Sequence, residues 1–317
     1  MRTVSFLSIL FITILLLSAQ TSVFSEEKGK DTRNYSYSLG LTYGFIYGKA
    51  KELVYPVDTK AKYLSELLWD MKPVFYYGAK FDIGKKNIMD RAGFFTSMSF
   101  KIGIPADSGK MEDRDWTSKK NDNLTHFSSH TNKTKEYYCA DILIGVSIPI
   151  KTYLYIKPFL SGSWMHFAFS GRDGYRTYEY ENWEVIPFEG EVITYKQDWF
   201  LAAVGFSIGT NIVKPLAFEL FFHISPLTYC DAKDEHLKTN IVYVDRTSFG
   251  LFIESKLLIS VILDRLIISL EGSYRYIGDT KGPAYRDSGN TGIYFSNGKA
   301  GSGLSMFDIS LAFKIKI

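Results

Sequence analysis

Only two cysteines, Cys139 and Cys230, occur in 317 residues, too few for a disulfide-built scaffold. Both are expected near strand ends on one side of the molecule but on non-adjacent strands, so no bond between them is expected. Charge of one sign is also missing. Lys and Arg total 37 against 34 Asp and Glu, a net charge of +3 that gives no reason to expect a nucleic-acid partner. Beyond the N-terminal segment no long unbroken apolar run occurs, so any residence in a membrane must be through strands. The cysteines lack the surroundings of a thiol nucleophile.

What is present begins with an export signal. Arg2 precedes an apolar run from Phe6 to Leu17, followed by small and polar residues from Ser18 to Ser25. Val23 and Ser25 suit a cut before Glu26, so residues 1–25 are expected to be removed, leaving 26–317 as a single domain. The run is shorter than the ~20 residues of a spanning helix, and no Cys near the cut could carry a lipid anchor.

Hydrophobic residues make up 46% and aromatics 16% of the chain, yet mean hydropathy is near zero. A transmembrane β-barrel accounts for both, because each strand shows lipid one face and the lumen the other while aromatics gather at the interfaces. The period of two is explicit. Tyr35, Tyr37, Leu39, Leu41, Tyr43, Phe45 and Tyr47 alternate with Ser36, Ser38, Gly40, Thr42, Gly44 and Ile46, and Phe307, Ile309, Leu311, Phe313 and Ile315 alternate with Asp308, Ser310, Ala312 and Lys314.

Between these ends the pattern predicts eight more strands, near 67–83, 92–105, 136–150, 152–170, 192–208, 214–230, 241–260 and 264–277. The expected fold is therefore all-β, a ten-stranded antiparallel transmembrane barrel with long extracellular loops and both termini periplasmic. Those loops are expected near 48–66, 106–135, 171–191, 231–240 and 278–301. Inward charges such as Glu271, Arg275, Lys314 and Lys316 should fill so narrow a lumen, which argues against an open pore.

Two acidic clusters fall in those loops: Glu112, Asp113 and Asp115, and Asp234, Glu235 and His236. Loop parity puts both at the outer rim, facing one another across the barrel mouth. An Asp two residues before a His can orient the imidazole to take a proton from water, and an opposite carboxylate pair can position that water. His126 and His130 share a loop with the Asp pair, yet no metal is expected.

Five segments, in order, resemble the landmarks of the omptin family of outer-membrane endoproteases. They are Gly48-Lys49-Ala50-Lys51-Glu52-Leu53-Val54-Tyr55, Ser65-x-Leu67-x-Trp69, Met111-Glu112-Asp113-Arg114-Asp115-Trp116, Tyr195-Lys196-Gln197 and Asp234-Glu235-His236. The resemblance implies an outer-membrane endopeptidase acting on polypeptides at the cell exterior; a closed barrel has no edge that would force association, so a monomer is expected. It implies that Asp113 and Asp115 are the family's aspartate pair, that Asp234 and His236 are its Asp-His pair, and that water between the pairs attacks the peptide. It also implies that Glu52 lines a pocket for a basic side chain before the cut.

Departures accompany the match. Ala232 stands where the family has a second acidic residue of that pocket, leaving Asp231 as the candidate to replace it. The acidic residue on the other side of the cut is replaced by His126 or Phe127. Members also contact lipopolysaccharide through a Tyr, Glu and Arg cluster; here Gly162, Trp164 and His166 occupy the stretch, so that cluster is not matched. No other cofactor is implied. The alternative reading of the same barrel is a non-catalytic adhesin or a narrow pore.

Overall fold

The computed structural model describes residues 35–56, 62–89, 92–118, 121–211 and 213–317; the expected signal segment and its cut lie outside them. Ten antiparallel staves close into a ring. In chain order they are β1 (Tyr35–Tyr55), β2 (Ser65–Met89), β3 (Ala92–Gly103) continued by β4 (Ala106–Asp115), β5 (His126–Lys151) and β6 (Leu154–Tyr178). A two-residue strand, β7 (Ile186–Pro187), pairs only with β6. Then follow β8 (Glu191–Thr210), β9 (Leu216–Ser225) continued by β10 (Thr228–His236), β11 (Ile241–Ser248) running on into β12 (Phe252–Ile262), β13 (Leu266–Ile277) running on into β14 (Gly282–Ser288), and β15 (Phe295–Lys316). Closure is the long β1–β15 ladder, in register from Ser38 opposite Lys316 to Tyr55 opposite Lys299. A closed ring leaves no unpaired edge.

The alternation legible in the sequence sets the two faces. Leu41, Tyr43, Tyr47, Phe307, Ile309, Leu311 and Phe313 are exposed on the outside, while Ser38, Thr42, Asp308 and Ser310 are buried within. Residues 35–47 of β1 span about 28 Å of height at ~3.3 Å per residue and a tilt near 45°, enough to cross the hydrocarbon layer. Gly44 allows the lumen to fill tightly: a Cβ there would come within 2.8 Å of the Tyr76 hydroxyl, which donates to Asp308 at 2.5 Å.

Ion pairs cross the lumen. Lys101 pairs with Asp308 and Lys80 with Glu271, Lys314 meets Asp82 at 2.9 Å, and Arg275 reaches Glu254 at 3.1 Å and Asp141 at 3.2 Å. Of the four inward charges expected to fill the barrel, three are so paired; Lys316 lies at the periplasmic mouth and donates to the Asp264 carbonyl at 3.2 Å. Above this layer lies an aromatic floor. Trp69 stacks on Tyr195 at 5.5 Å and on Phe169 at 5.6 Å, and Trp199 donates to Gln197 at 3.0 Å. Both cysteines are buried and unbonded.

The expected loop boundaries are corrected. The strands run far past the lipid belt: Glu52 is in β1, Asp113 and Asp115 in β4, and Asp234 and His236 in β10. Beyond the membrane the outer face is wetted and turns polar, so hydrophobic alternation fades although the backbone ladder continues. Segment 231–240, expected as a loop, is strand as far as His236. Pro73 is accommodated at the register shift between Ile46 and Gly48, where the β1–β2 ladder skips a residue.

Candidate active site

β10 alternates strictly above the floor. Cys230, Ala232 and Asp234 are buried and point inward with His236, while Asp231, Lys233 and Glu235 take the opposite face. His236 Nε2 lies 2.6 Å from Asp234 Oδ2, and its ring meets Tyr243 edge-on at 5.5 Å. On the opposite wall Met111, Asp113 and Asp115 share one face of β4, since they pair in register with Leu67 and Ser65 of β2 and with Ser128 and His126 of β5. Ser65 Oγ donates to Asp113 at 3.3 Å. Strand pairing thus brings together the four residues that the sequence placed on opposite walls: Asp113, Asp115 and His236 line one cavity with Asp234 and Glu52.

Charge is concentrated here. Burial and the Asp115 carboxylate hold the Asp113 carboxyl well above the usual range. Burial raises Asp115 as well, although the Ser65 hydroxyl and the His126 and His236 rings pull the other way. Burial works against the His236 imidazolium, but the Asp234 charge and hydrogen bond, then Asp113 and Asp115, outweigh it and lift the ring to about 9. Glu52 is raised far above an ordinary carboxyl, first by burial and then by Asp234, Asp245 and Asp113. Glu52 Oε2 and Asp234 Oδ1 are buried with no hydrogen-bond partner among the described residues. Such oxygens are costly unless a donor from outside the protein meets them.

Asp231 is corrected as a pocket residue. It sits on the outward face of β10, one position out of phase with Ala232 and Asp234, and cannot face Glu52. The structure supplies a carboxylate that sequence reading missed. Asp245 of β11 lies in register opposite Ala232, is buried, and lines the same cavity as Glu52. Burial and the Asp234 charge push its carboxyl up to about 8. Tyr243 and Asp245 share the inward face two residues apart, a spacing that could have marked them once β11 was paired with β10. Across the cleft His126, not Phe127, is the residue in register with Asp115; its ring packs edge-on to Tyr178 at 4.4 Å.

His166 lies outside this cleft, 2.9 Å from Asp198, with the Trp164 indole donating to the same carboxylate at 3.2 Å. Gly162 pairs with Ile142 and Ala202 in mid-stave.

A ring of ten staves with a lipid-facing belt, a plugged lumen and a carboxylate–imidazole cleft at its outer end defines an outer-membrane β-barrel hydrolase. A sequence model of the Omptin family matches residues 33–317, and the chain belongs to that family, an outer-membrane endopeptidase whose active site faces the exterior. The plasminogen activator of Yersinia pestis is 24% identical over 250 residues, covering 76% of each chain. The crystal structure of the outer membrane protease OmpT from Escherichia coli superposes with a TM-score of 0.77 at 18% identity, over 91% of this chain and all of that one.

Proposed function

We propose that the enzyme hydrolyses peptide bonds beside a basic side chain, using water activated between Asp113 and Asp115 on one wall and Asp234 with His236 on the other. The 2.6 Å contact between His236 and Asp234 carries this reading. With Asp234 accepting from Nε2–H, Nδ1 of His236 holds the lone pair and takes a proton from water. The hydroxide adds to the peptide carbonyl carbon, and the His236 imidazolium then protonates the departing amine. The Asp113 and Asp115 carboxyls line the same cavity as His236 and can accept hydrogen bonds from the water, holding it beside the imidazole.

Glu52 and Asp245 take the basic side chain, because two buried carboxyls with no cationic partner among the described residues are stabilised when a guanidinium or ammonium enters between them. A non-catalytic adhesin has no use for so costly an arrangement. The test is digestion of a peptide library by refolded wild type and by an Asp234→Ala, His236→Ala double variant. We expect cleavage next to Arg or Lys by wild type, and a loss of at least about a thousandfold in the variant. Equal cleavage by both proteins, each folded, would remove these residues from the chemistry.

A further inference from the structure

The inner end of the barrel holds a cavity that shares no residue with the cleft. It has a volume of about 330 Å³ and lies between the first residues of β1 and the last of β15, where Ser36 and Lys316 are exposed at the periplasmic mouth. Strand pairing seals its sides, and Arg275 with Glu254 and Asp141 closes the lumen above it. We propose that this blind cavity binds a small water-soluble organic anion, a phosphate or carboxylate on a compact apolar body, admitted from the periplasm.

Charge is out of balance there. Five lysines line the cavity against three carboxylates. Each carboxylate already has a cation: Lys80 holds Glu271, Lys157 meets Glu219 at 2.9 Å, and Lys314 meets Asp82 at 2.9 Å. Lys316, at the rim, donates to the Asp264 carbonyl at 3.2 Å and has no carboxylate beside it among the described residues. Lys256 is half-buried, with neither an ion pair nor a hydrogen bond among the described residues. Glu271, Glu254 and Asp141 attract it from beyond contact, but Lys80 holds the first and Arg275 the other two. An entering oxyanion gives this ammonium a charge-assisted hydrogen bond, in a recess where the attraction is screened less than at the surface.

The wall selects the kind of anion. Lys256 lies 4.4 Å from the centre of the Phe221 ring and Lys157 lies 5.3 Å from that of Phe95, and Leu143 and Leu258 pack with these rings. Bare phosphate leaves that apolar wall wet, whereas an organic body covers it. A membrane lipid fits poorly. The barrel wall is closed, so a lipid headgroup could enter only through the mouth and would draw its acyl chains out of the bilayer into water. A cation would meet ammonium groups and no free carboxylate.

The experiment titrates the refolded full barrel, in a neutral detergent, with phenyl phosphate, inorganic phosphate, benzylamine and dihexanoyl phosphatidate, read by calorimetry. We expect phenyl phosphate to bind a single site with a Kd below about 1 mM, about tenfold tighter than inorganic phosphate, and benzylamine not to bind. Lys256→Gln removes no ion pair, so the barrel should fold and cleave peptides at the wild-type rate while phenyl phosphate binds about tenfold more weakly. Lys316→Gln, at the exposed rim, should fold whatever happens to the lumen and weaken binding about threefold. Absence of saturable binding, equal binding of phosphate and phenyl phosphate, or binding of benzylamine overturns the proposal. Tighter binding of the phosphatidate than of phenyl phosphate assigns the cavity to a lipid headgroup and overturns it too. So does wild-type affinity in Lys256→Gln, or in Lys316→Gln should the first variant fail to fold.

Discussion

At His236 burial and charge oppose one another, and charge prevails. Asp234, Asp113 and Asp115 face the ring, Tyr243 packs against it, and the imidazole is lifted to about 9. A base must be unprotonated to accept a proton, so kcat/KM should climb with pH by about tenfold per unit from near 6 and level off near 9. Asp113→Asn removes one of the charges that hold the imidazolium. It should lower the maximal rate and, separately, move the midpoint of the acid limb to lower pH. A fluorogenic peptide assayed across pH reads both, and a midpoint that does not move would show that Asp113 and His236 do not share the proton. The raised imidazole also stabilises the fold below its unfolded value of 6.5, a contribution lost as pH rises through about 9.

Pairing of neighbouring strands decides which carboxyls face the cleft. Asp231 and Asp245 differ little as sequence, but the first lies on the outer face of β10 and the second on the inner face of β11, opposite Ala232. Asp245→Asn should therefore reduce selectivity for Arg and Lys by about tenfold or more, whereas Asp231→Asn should leave the cleavage profile unchanged. The reverse outcome in a library digest would show that the β10–β11 register is wrong. Stability should move the other way. A carboxyl raised from 3.8 to about 8 costs the native state increasingly as pH rises between those values, so Asp245→Asn should raise Tm at neutral pH and have little effect near pH 4. On the proposed reading, binding and stability conflict at this residue, because among the described residues the pocket's carboxyls are buried with no cation beside them.

Across the whole molecule, three layers divide the work. Ion pairs plug the membrane-spanning lumen, an aromatic floor of Trp69, Phe169 and Tyr195 covers the plug, and the cleft stands above it in contact with the exterior. No steady conductance is expected when the barrel is inserted in a planar bilayer; an open-channel current would contradict the plugged lumen. Arg275→Ala leaves Glu254 and Asp141 without their cation in a buried site, so the barrel should lose about 3–5 kcal/mol in denaturant titration. The cleft stands on long strands that also form the plug. Loosening it should therefore lower kcat together with stability, which the same preparation reports.

The sequence by itself determined the barrel, its ten staves and its polarity, because lipid on one side and a filled lumen on the other impose a period of two that few other folds hold for thirteen residues. The ordered landmarks around Glu52, Asp113, Asp115, Asp234 and His236 likewise make one wall and its opposite legible in the sequence. Where the strands ended was not legible, since above the membrane both faces are polar and the alternation that marks a stave disappears. Nor was the second carboxylate of the acidic pocket. Asp245 is eleven residues from Asp234 in the chain and faces the pocket only because β11 pairs with β10 in one register, and a one-residue slip would turn it outward. Phe188 and His130, likewise, share a cavity with His236 only once the ring has closed. Local pattern records which face a residue prefers; which residues meet across a closed barrel is set by register, and only the tertiary structure contains it.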